Sequence, residues 1–225
     1  HRILSAATLT SGAQVGLGLS IDALVQDADR VTATFTDGST AGYDAVIGAD
    51  GLFSRTRQLV FPDAPQPEYV GQFIWRVTVP RDPAIERRHF FLGGPVKVGL
   101  NPVSRDEMYM FVLESAPAKV KLEEDVLVPR LKALLASYGG AVARVRDSLD
   151  ARFRIIARPL EAFLLPPPWY SGRVMLIGDA AHPTTPQLAS GAGMAVEDAL
   201  VLGEEMARTT SVPEAFAAMM ARRYD

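Results

Sequence analysis

The sequence predicts an α/β (α+β) protein in two parts: a Rossmann-like sheet-and-helix half divided between the two ends of the chain, and an antiparallel sheet inserted between them. Three observations carry this. Two apolar runs of strand length, around Val46-Ile47 and Val174-Met175-Leu176-Ile177, end in Gly48-Ala49-Asp50-Gly51 and Gly178-Asp179. From Tyr69 to Ala116 the pattern is strands alone, and the Pro-rich segments Pro62–Glu68 and Pro166-Pro167-Pro168 bracket that territory as linkers. The expected parts are residues 1–67 and 166–225 for the divided half and 68–165 for the insert.

Taken in order, His1 to Leu9 has helical spacing at Ile3, Leu4 and Ala7 and is expected to stop near Ser11-Gly12. Val15–Ser20, Ile21–Gln26 and Val31–Phe35 read as strands, the last by alternation of Val31, Ala33 and Phe35 with threonines. Asp37-Gly38 is a turn signal, and Tyr43–Ile47 returns as an apolar strand. Ser54–Phe61 is predicted helical, stopped by Pro62. The insert is read as strands Gly71–Val79, Arg88–Leu92, Val96–Leu100 and Glu107–Glu114, then helices Pro129–Tyr138 and Ala141–Leu149, then a strand Phe153–Ala157. After the second linker comes the strand at Val174, a Pro-containing loop (Pro183, Pro186), and a helix from about Gly191 to Arg208. In that helix Glu197, Asp198, Glu204, Glu205 and Arg208 are expected to form a solvated side, with Met194, Val196, Leu200, Val201 and Met206 buried. Ser211-Val212-Pro213-Glu214 is a capping-box start for a last helix.

The 225 residues, 48% apolar and 22% charged, can build a real core. A net charge of -3 offers no electrostatic footprint for nucleic acid or an anionic membrane, and neither partner is expected. With no cysteine, disulfides, thiolate catalysis and metal–thiolate sites are excluded. No metal ligands are singled out, and a cytoplasmic setting is expected. The chain opens at His1-Arg2 without a methionine, in what reads as the middle of a helix, and is expected to be a piece of a longer protein.

The organising stretch is Gly172–Leu202. Asp179 stands just past a strand's carboxyl end, the edge at which ligands collect in open α/β sheets. The small-residue turn Ala189-Ser190-Gly191-Ala192-Gly193 bares the helix N-terminus, where free N–H groups and the dipole favour negative charge. Asp50 stands at a strand tip in the same way, which suggests one ligand site assembled from two places. An ordinary strand–loop–helix, with glycines serving only the turn, is the alternative.

Gly178-Asp179-Ala180-Ala181-His182-Pro183, followed by Pro186, Gly191 and Glu197-Asp198, resembles the second FAD-binding motif of flavin-dependent aromatic hydroxylases, the group A monooxygenases that include para-hydroxybenzoate hydroxylase. Asp50-Gly51-Leu52-Phe53-Ser54-Arg55-Thr56-Arg57 is similar to that family's DGxxSxxR signature. The family's first signature, a GxGxxG turn, is missing, since Gly16-Leu17-Gly18 lies in a strand pattern with no helix after it. The resemblance thus implies an incomplete FAD/NAD(P)-binding domain, with roughly 100 further residues in front by usual domain sizes. The family's frequent Gly-Gln-Gly turn with a following Asn is also replaced here by Ala189, Ser190, Gly191 and Gly193.

The resemblance assigns roles residue by residue. Asp179 would accept hydrogen bonds from ribityl hydroxyls, with Gly178 and Pro186 shaping the same motif. Backbone N–H groups of Ala189 to Gly193 would face the flavin N1–C2=O2 edge. Asp50 and Gly51 would shape the pyrophosphate and nicotinamide side, and Pro183 would line the pocket near the ring. Arg57 reads equally as a nicotinamide or phosphate contact and as a surface salt bridge. FAD reduced by NADH or NADPH would react with O2, and a C4a-hydroperoxide would hydroxylate a small aromatic or heteroaromatic substrate. Substrate contacts would come from the inserted sheet. Trp75-Arg76 is a candidate pair for a substrate carboxylate, or else a core Trp beside an exposed Arg. His89 is a candidate phenol base, or incidental. No residue is given a catalytic role; His182 is read as fixing its loop, and a homodimer is compatible with all of this. A related flavin reductase or oxidase, or a fragment that holds no FAD, are the competing readings.

Overall fold

The computed structural model describes residues 2–224; His1, included in the expected first helix, and Asp225 lie outside the described residues. The chain divides into two compact units, one taking both ends of the chain as far as Pro67 and again from Phe163, the other running Glu68–Ala162. No helix among the described residues is long and apolar enough to cross a membrane.

The first unit opens with α1 (Arg2–Thr10), which buries none of its residues. An antiparallel meander follows, β1 (Ile21–Gln26), β2 (Val31–Phe35) and β3 (Thr40–Tyr43). The strand expected at Val15–Ser20 is absent: Gly18 takes a left-handed φ of +76°, which breaks the extended run, and Leu17 is exposed. The single strand expected at Tyr43–Ile47 is two. The chain leaves the meander after Tyr43 and enters a second sheet as β4 (Val46–Gly48), then forms the short helix α2 (Arg55–Val60).

The second unit is a five-stranded antiparallel sheet in the order β6-β7-β8-β5-β9, from β5 (Glu68–Pro80), β6 (His89–Phe91), β7 (Lys97–Pro102), β8 (Glu107–Ser115) and β9 (Ile156–Ala162). Helices α3 (Glu124–Leu134) and α4 (Gly140–Ser148) complete it. Alternation decides its faces. Phe73, Trp75, Val77 and Val79 of β5 join Val98, Leu100, Met108, Met110 and Val112 in one core with Leu131, Leu135, Val142 and Val145 of the helices. The opposite face carries Ile74, Leu113 and Leu160, with Phe111 packed on them. Gly99 is required there, because a Cβ would lie 2.1 Å from the Phe111 ring.

Two boundaries differ from expectation. Pro129, expected to start its helix, lies inside α3; Glu124 and Asp125 fill the first turn instead, where carboxylates complement the dipole. The strand expected at Phe153–Ala157 begins later and runs through Pro159, which an edge strand tolerates because it need not donate on its open side.

Back in the first unit, β10 (Tyr170–Ser171) pairs antiparallel with β11 (Val174–Leu176), which lies parallel to β4. A single 3-10 turn, Gly178–Ala180, leads on to α5 (Gly191–Arg208) and α6 (Val212–Arg223). Met175, Leu176 and Ile177 pack with Leu202, Phe216 and Met219, while Val31, Val46 and Val174 tie the meander to the parallel pair.

Candidate functional site

Val174, Met175 and Leu176 pair in parallel with Val46, Ile47 and Gly48, and the amide of Ile177 donates to the Gly48 carbonyl at 3.0 Å. The loops bearing Asp50 and Asp179 therefore leave the same edge of one sheet. Gly48 permits this packing, since a Cβ there would lie 2.6 Å from Leu176 Cδ2 and 2.8 Å from Thr56 Cγ2.

Asp50 spends its carboxylate within its own loop. Oδ1 accepts from Ser54 Oγ at 2.5 Å, and Oδ2 accepts from the Thr56 amide at 2.9 Å and its hydroxyl at 3.0 Å. Ser54 Oγ in turn accepts from the Arg57 amide at 2.9 Å, capping α2. Burial alone would raise the Asp50 carboxyl, but the bonds from Ser54 and Thr56 outweigh it and hold the group below the usual carboxylate value. Gly51 follows at φ +83° with open space where a Cβ would stand.

Arg57 is neither of the things its sequence suggested. It is 1% exposed, so it forms no surface salt bridge and presents nothing to a ligand outside. Nη1 donates to the Ala180 carbonyl at 2.8 Å and Nη2 to the Leu52 carbonyl at 2.7 Å, while the guanidinium lies 4.2 Å from the centroid of the Phe163 ring. Burial holds its pKa below the ordinary arginine value, opposed by the charge of Asp50.

The Gly178–Ala180 turn is fixed from the other side by Asp198. Asp198 Oδ2 accepts from the Gly178 amide at 2.8 Å and meets His182 Nε2 at 2.6 Å; Oδ1 accepts from Arg223 Nε at 2.8 Å. The solvated acidic face expected for α5 is thus overturned for Asp198 and Glu205, both buried, with Glu205 accepting from Arg208 and Arg222. The helix turns Asp198 and Glu205 toward basic residues of α6 and leaves Val196 and Leu200 exposed, while Glu197, Glu204 and Arg208 are exposed as expected. The signal lay in spacing: Met194, Asp198, Val201 and Glu205 recur at helical intervals, and Arg222-Arg223 waited in the next helix. His182, read from sequence as fixing its loop, sits against Asp198 with its ring 4.8 Å from that of Trp169.

Gly178 adopts φ +56°, and a Cβ there would lie 2.9 Å from Ala195 Cβ. Gly178→Ala is expected to destabilise the fold by roughly 2–4 kcal/mol through left-handed strain plus overpacking. Chemical denaturation of the variant reads this out directly.

Asp179, between these fixed neighbours, is exposed beside the start of α5; the Cβ that Gly191 lacks would lie 4.0 Å from Asp179 Oδ1 and 3.3 Å from Thr184 Oγ1. Pro183 is buried and Pro186 half-buried in the intervening loop. Ala189 takes φ +54°, and the N-cap Ser190 makes no side-chain cap bond, so its hydroxyl accepts from none of the amides of Gly191, Ala192 and Gly193. Ala192 and Gly193 are exposed, with nothing within 4 Å of a Cβ built on Gly193. The result is an exposed carboxylate next to a bare helix terminus, a pairing suited to a ligand with hydroxyls and an anionic or carbonyl edge.

In the second unit, Trp75 is fully buried and donates from Nε1 to Glu114 Oε2 at 2.8 Å, with Arg130 completing the group at 2.7 Å from Oε1. It is core, not a ligand surface. Arg76 is exposed on the opposite face beside Tyr109, whose phenol burial pushes up while Arg76 opposes. His89 is half-buried on the edge strand β6, its ring edge-on to Phe91.

A family model described as FAD binding domain matches residues 1–212. The chain is 35% identical over 216 residues to the FAD-dependent urate hydroxylase of Klebsiella pneumoniae, covering 94% of this chain and 56% of that protein. It is 31% identical over 214 residues to the putative FAD-dependent monooxygenase YetM of Bacillus subtilis, covering 94% and 58%. The crystal structure of Klebsiella pneumoniae HpxO complexed with FAD and uric acid superposes with a TM-score of 0.87 at 32% identity, over 99% of this chain and 57% of that one. The chain therefore spans a little over half the length of these relatives.

Proposed function

The chain belongs to the FAD binding domain family of flavin-dependent monooxygenases, and on that premise we propose that it supplies the ribityl and ring-edge contacts of an enzyme that hydroxylates a small aromatic or heteroaromatic compound. The observation that carries this reading is the shared edge of β4 and β11, where exposed Asp179 stands beside the uncapped start of α5. Those residues fit the isoalloxazine and ribityl parts of FAD. A carboxylate accepts from sugar-like hydroxyls, open glycines admit a flat ring, and three amides can donate to its carbonyl edge. FAD, reduced by NADH or NADPH, would supply oxygen transfer from O2 by the C4a-hydroperoxide route.

The protein's share is positional. Asp179 holds the ribityl chain, the amides of Gly191 to Gly193 stabilise negative charge on the ring, and Asp50 with Gly51 shapes the neighbouring loop. Substrate contacts are assigned to the Glu68–Ala162 unit, where Arg76 beside Tyr109 offers a fork for a carboxylate or an oxo group. That HpxO was crystallised with uric acid supports a flat, polar, heteroaromatic substrate. A cytoplasmic setting fits a chain without cysteine.

Gly191→Val tests the ring position. The fold has room for the side chain apart from the Thr184 hydroxyl, so the variant should melt within a few degrees of wild type yet bind FAD at least about tenfold more weakly. Unchanged flavin affinity in a folded variant removes the ring from this place. For the reaction, NAD(P)H oxidation is followed across a panel of aromatic and heteroaromatic acids. One hydroxylated product per NAD(P)H supports a monooxygenase; stoichiometric peroxide with no product indicates an oxidase.

A further inference from the structure

We propose that Arg57 is a positioning residue for the flavin: its guanidinium, sealed in the core, sets the carbonyl of Ala180 against that of Leu52 and so fixes Asp179 at the sheet edge. This rests on the flavin reading above. The two carbonyls belong to loops from different parallel strands, and the Ala180 bond spans 123 residues of sequence. Each nitrogen of the fork serves one loop, a division that a single ammonium cannot reproduce.

Two further observations argue for position over stability. Nε of Arg57 is buried without a hydrogen-bond partner, and no carboxylate among the described residues lies within hydrogen-bonding reach of the guanidinium. A buried cation served only by two carbonyls and the Phe163 ring is a poor way to stabilise a core. It is a good way to define a distance. Asp179 stands between two residues held independently, Gly178 by Asp198 and Ala180 by Arg57. Releasing either neighbour would let the carboxylate drift while leaving it chemically intact.

The test uses the full-length holoenzyme with Arg57→Lys, Arg57→Ala and, in parallel, Asp179→Ala. FAD affinity is read by titration of flavin fluorescence, folding by circular dichroism, and KM for NAD(P)H at saturating FAD. Arg57→Lys is expected to fold and to bind FAD about tenfold more weakly with KM for NAD(P)H unchanged. Arg57→Ala should lose more, and methylguanidinium at low millimolar concentration should restore FAD affinity to it but not to Asp179→Ala. If the lysine variant fails to fold, this rescue decides the question alone. An FAD affinity within twofold of wild type in folded Arg57→Lys, a raised KM for NAD(P)H with unchanged FAD affinity, or no rescue of Arg57→Ala would each overturn the inference. A wild-type enzyme that takes up no FAD overturns the flavin assignment and this inference with it. Weakening by Asp179→Ala without weakening by Arg57→Lys overturns the inference alone.

Discussion

Asp179→Ala is expected to raise the dissociation constant for FAD by roughly 10- to 150-fold while leaving the fold intact. The side chain is exposed and its neighbours are held by Asp198 and Arg57, so removing it breaks no part of the core. On the proposed flavin reading, what disappears is a charged acceptor for ribityl hydroxyls. A hydrogen bond to a charged group contributes about 1.5–3 kcal/mol, and each 1.4 kcal/mol is a factor of ten in affinity. Asp179→Asn keeps an acceptor without the charge and should fall between. The measurement is a fluorescence titration against wild type, with melting temperatures recorded for all three. Wild-type affinity in the alanine variant would remove Asp179 from the cofactor site.

Asp198→Ala is expected to have the largest effect on stability, about 3–5 kcal/mol, because it strands a half-buried arginine, a buried histidine and a buried amide together. For a protein of this size that lowers the melting temperature by roughly 10 °C. Its pH dependence has a definite sign. Burial pushes the Asp198 carboxyl up, but the bonds from His182, the Gly178 amide and Arg223 outweigh it and depress the group below its ordinary value of 3.8. The stabilisation from ionising Asp198 is therefore complete above that value and is lost as pH falls through the lower folded-state value. Asp198→Asn should show a flatter acid limb in the unfolding curve. An acid limb identical to wild type would mean that the carboxylate is not the group protecting the fold there.

Much of this was legible in the residues. Apolar runs closing on a glycine and then an aspartate (Gly48-Ala49-Asp50 and Gly178-Asp179) marked β4 and β11, and strand tips bearing carboxylates pointed to one edge, where the parallel pairing of Val46 with Val174 brings both loops. Alternation at Phe73, Trp75 and Val77 wrote the inserted sheet plainly. What misled was the assumption that charge marks solvent. Arg57, Asp198 and Glu205 are all buried, because each meets a partner far away in sequence, and local periodicity carries no record of a partner. Trp75 shows the complement: it is adjacent to Arg76 in the sequence, but period-two geometry sends the two to opposite faces, so only Arg76 is available outside.

If the flavin sits where proposed, the bond from Arg223 to Asp198 means that damage near the last residues of α6 should register as a colour change. An enzyme altered at position 223 would fade from yellow without any lesion where the chromophore sits. A survey of inactivating mutations would accordingly draw the boundary of the pocket too wide.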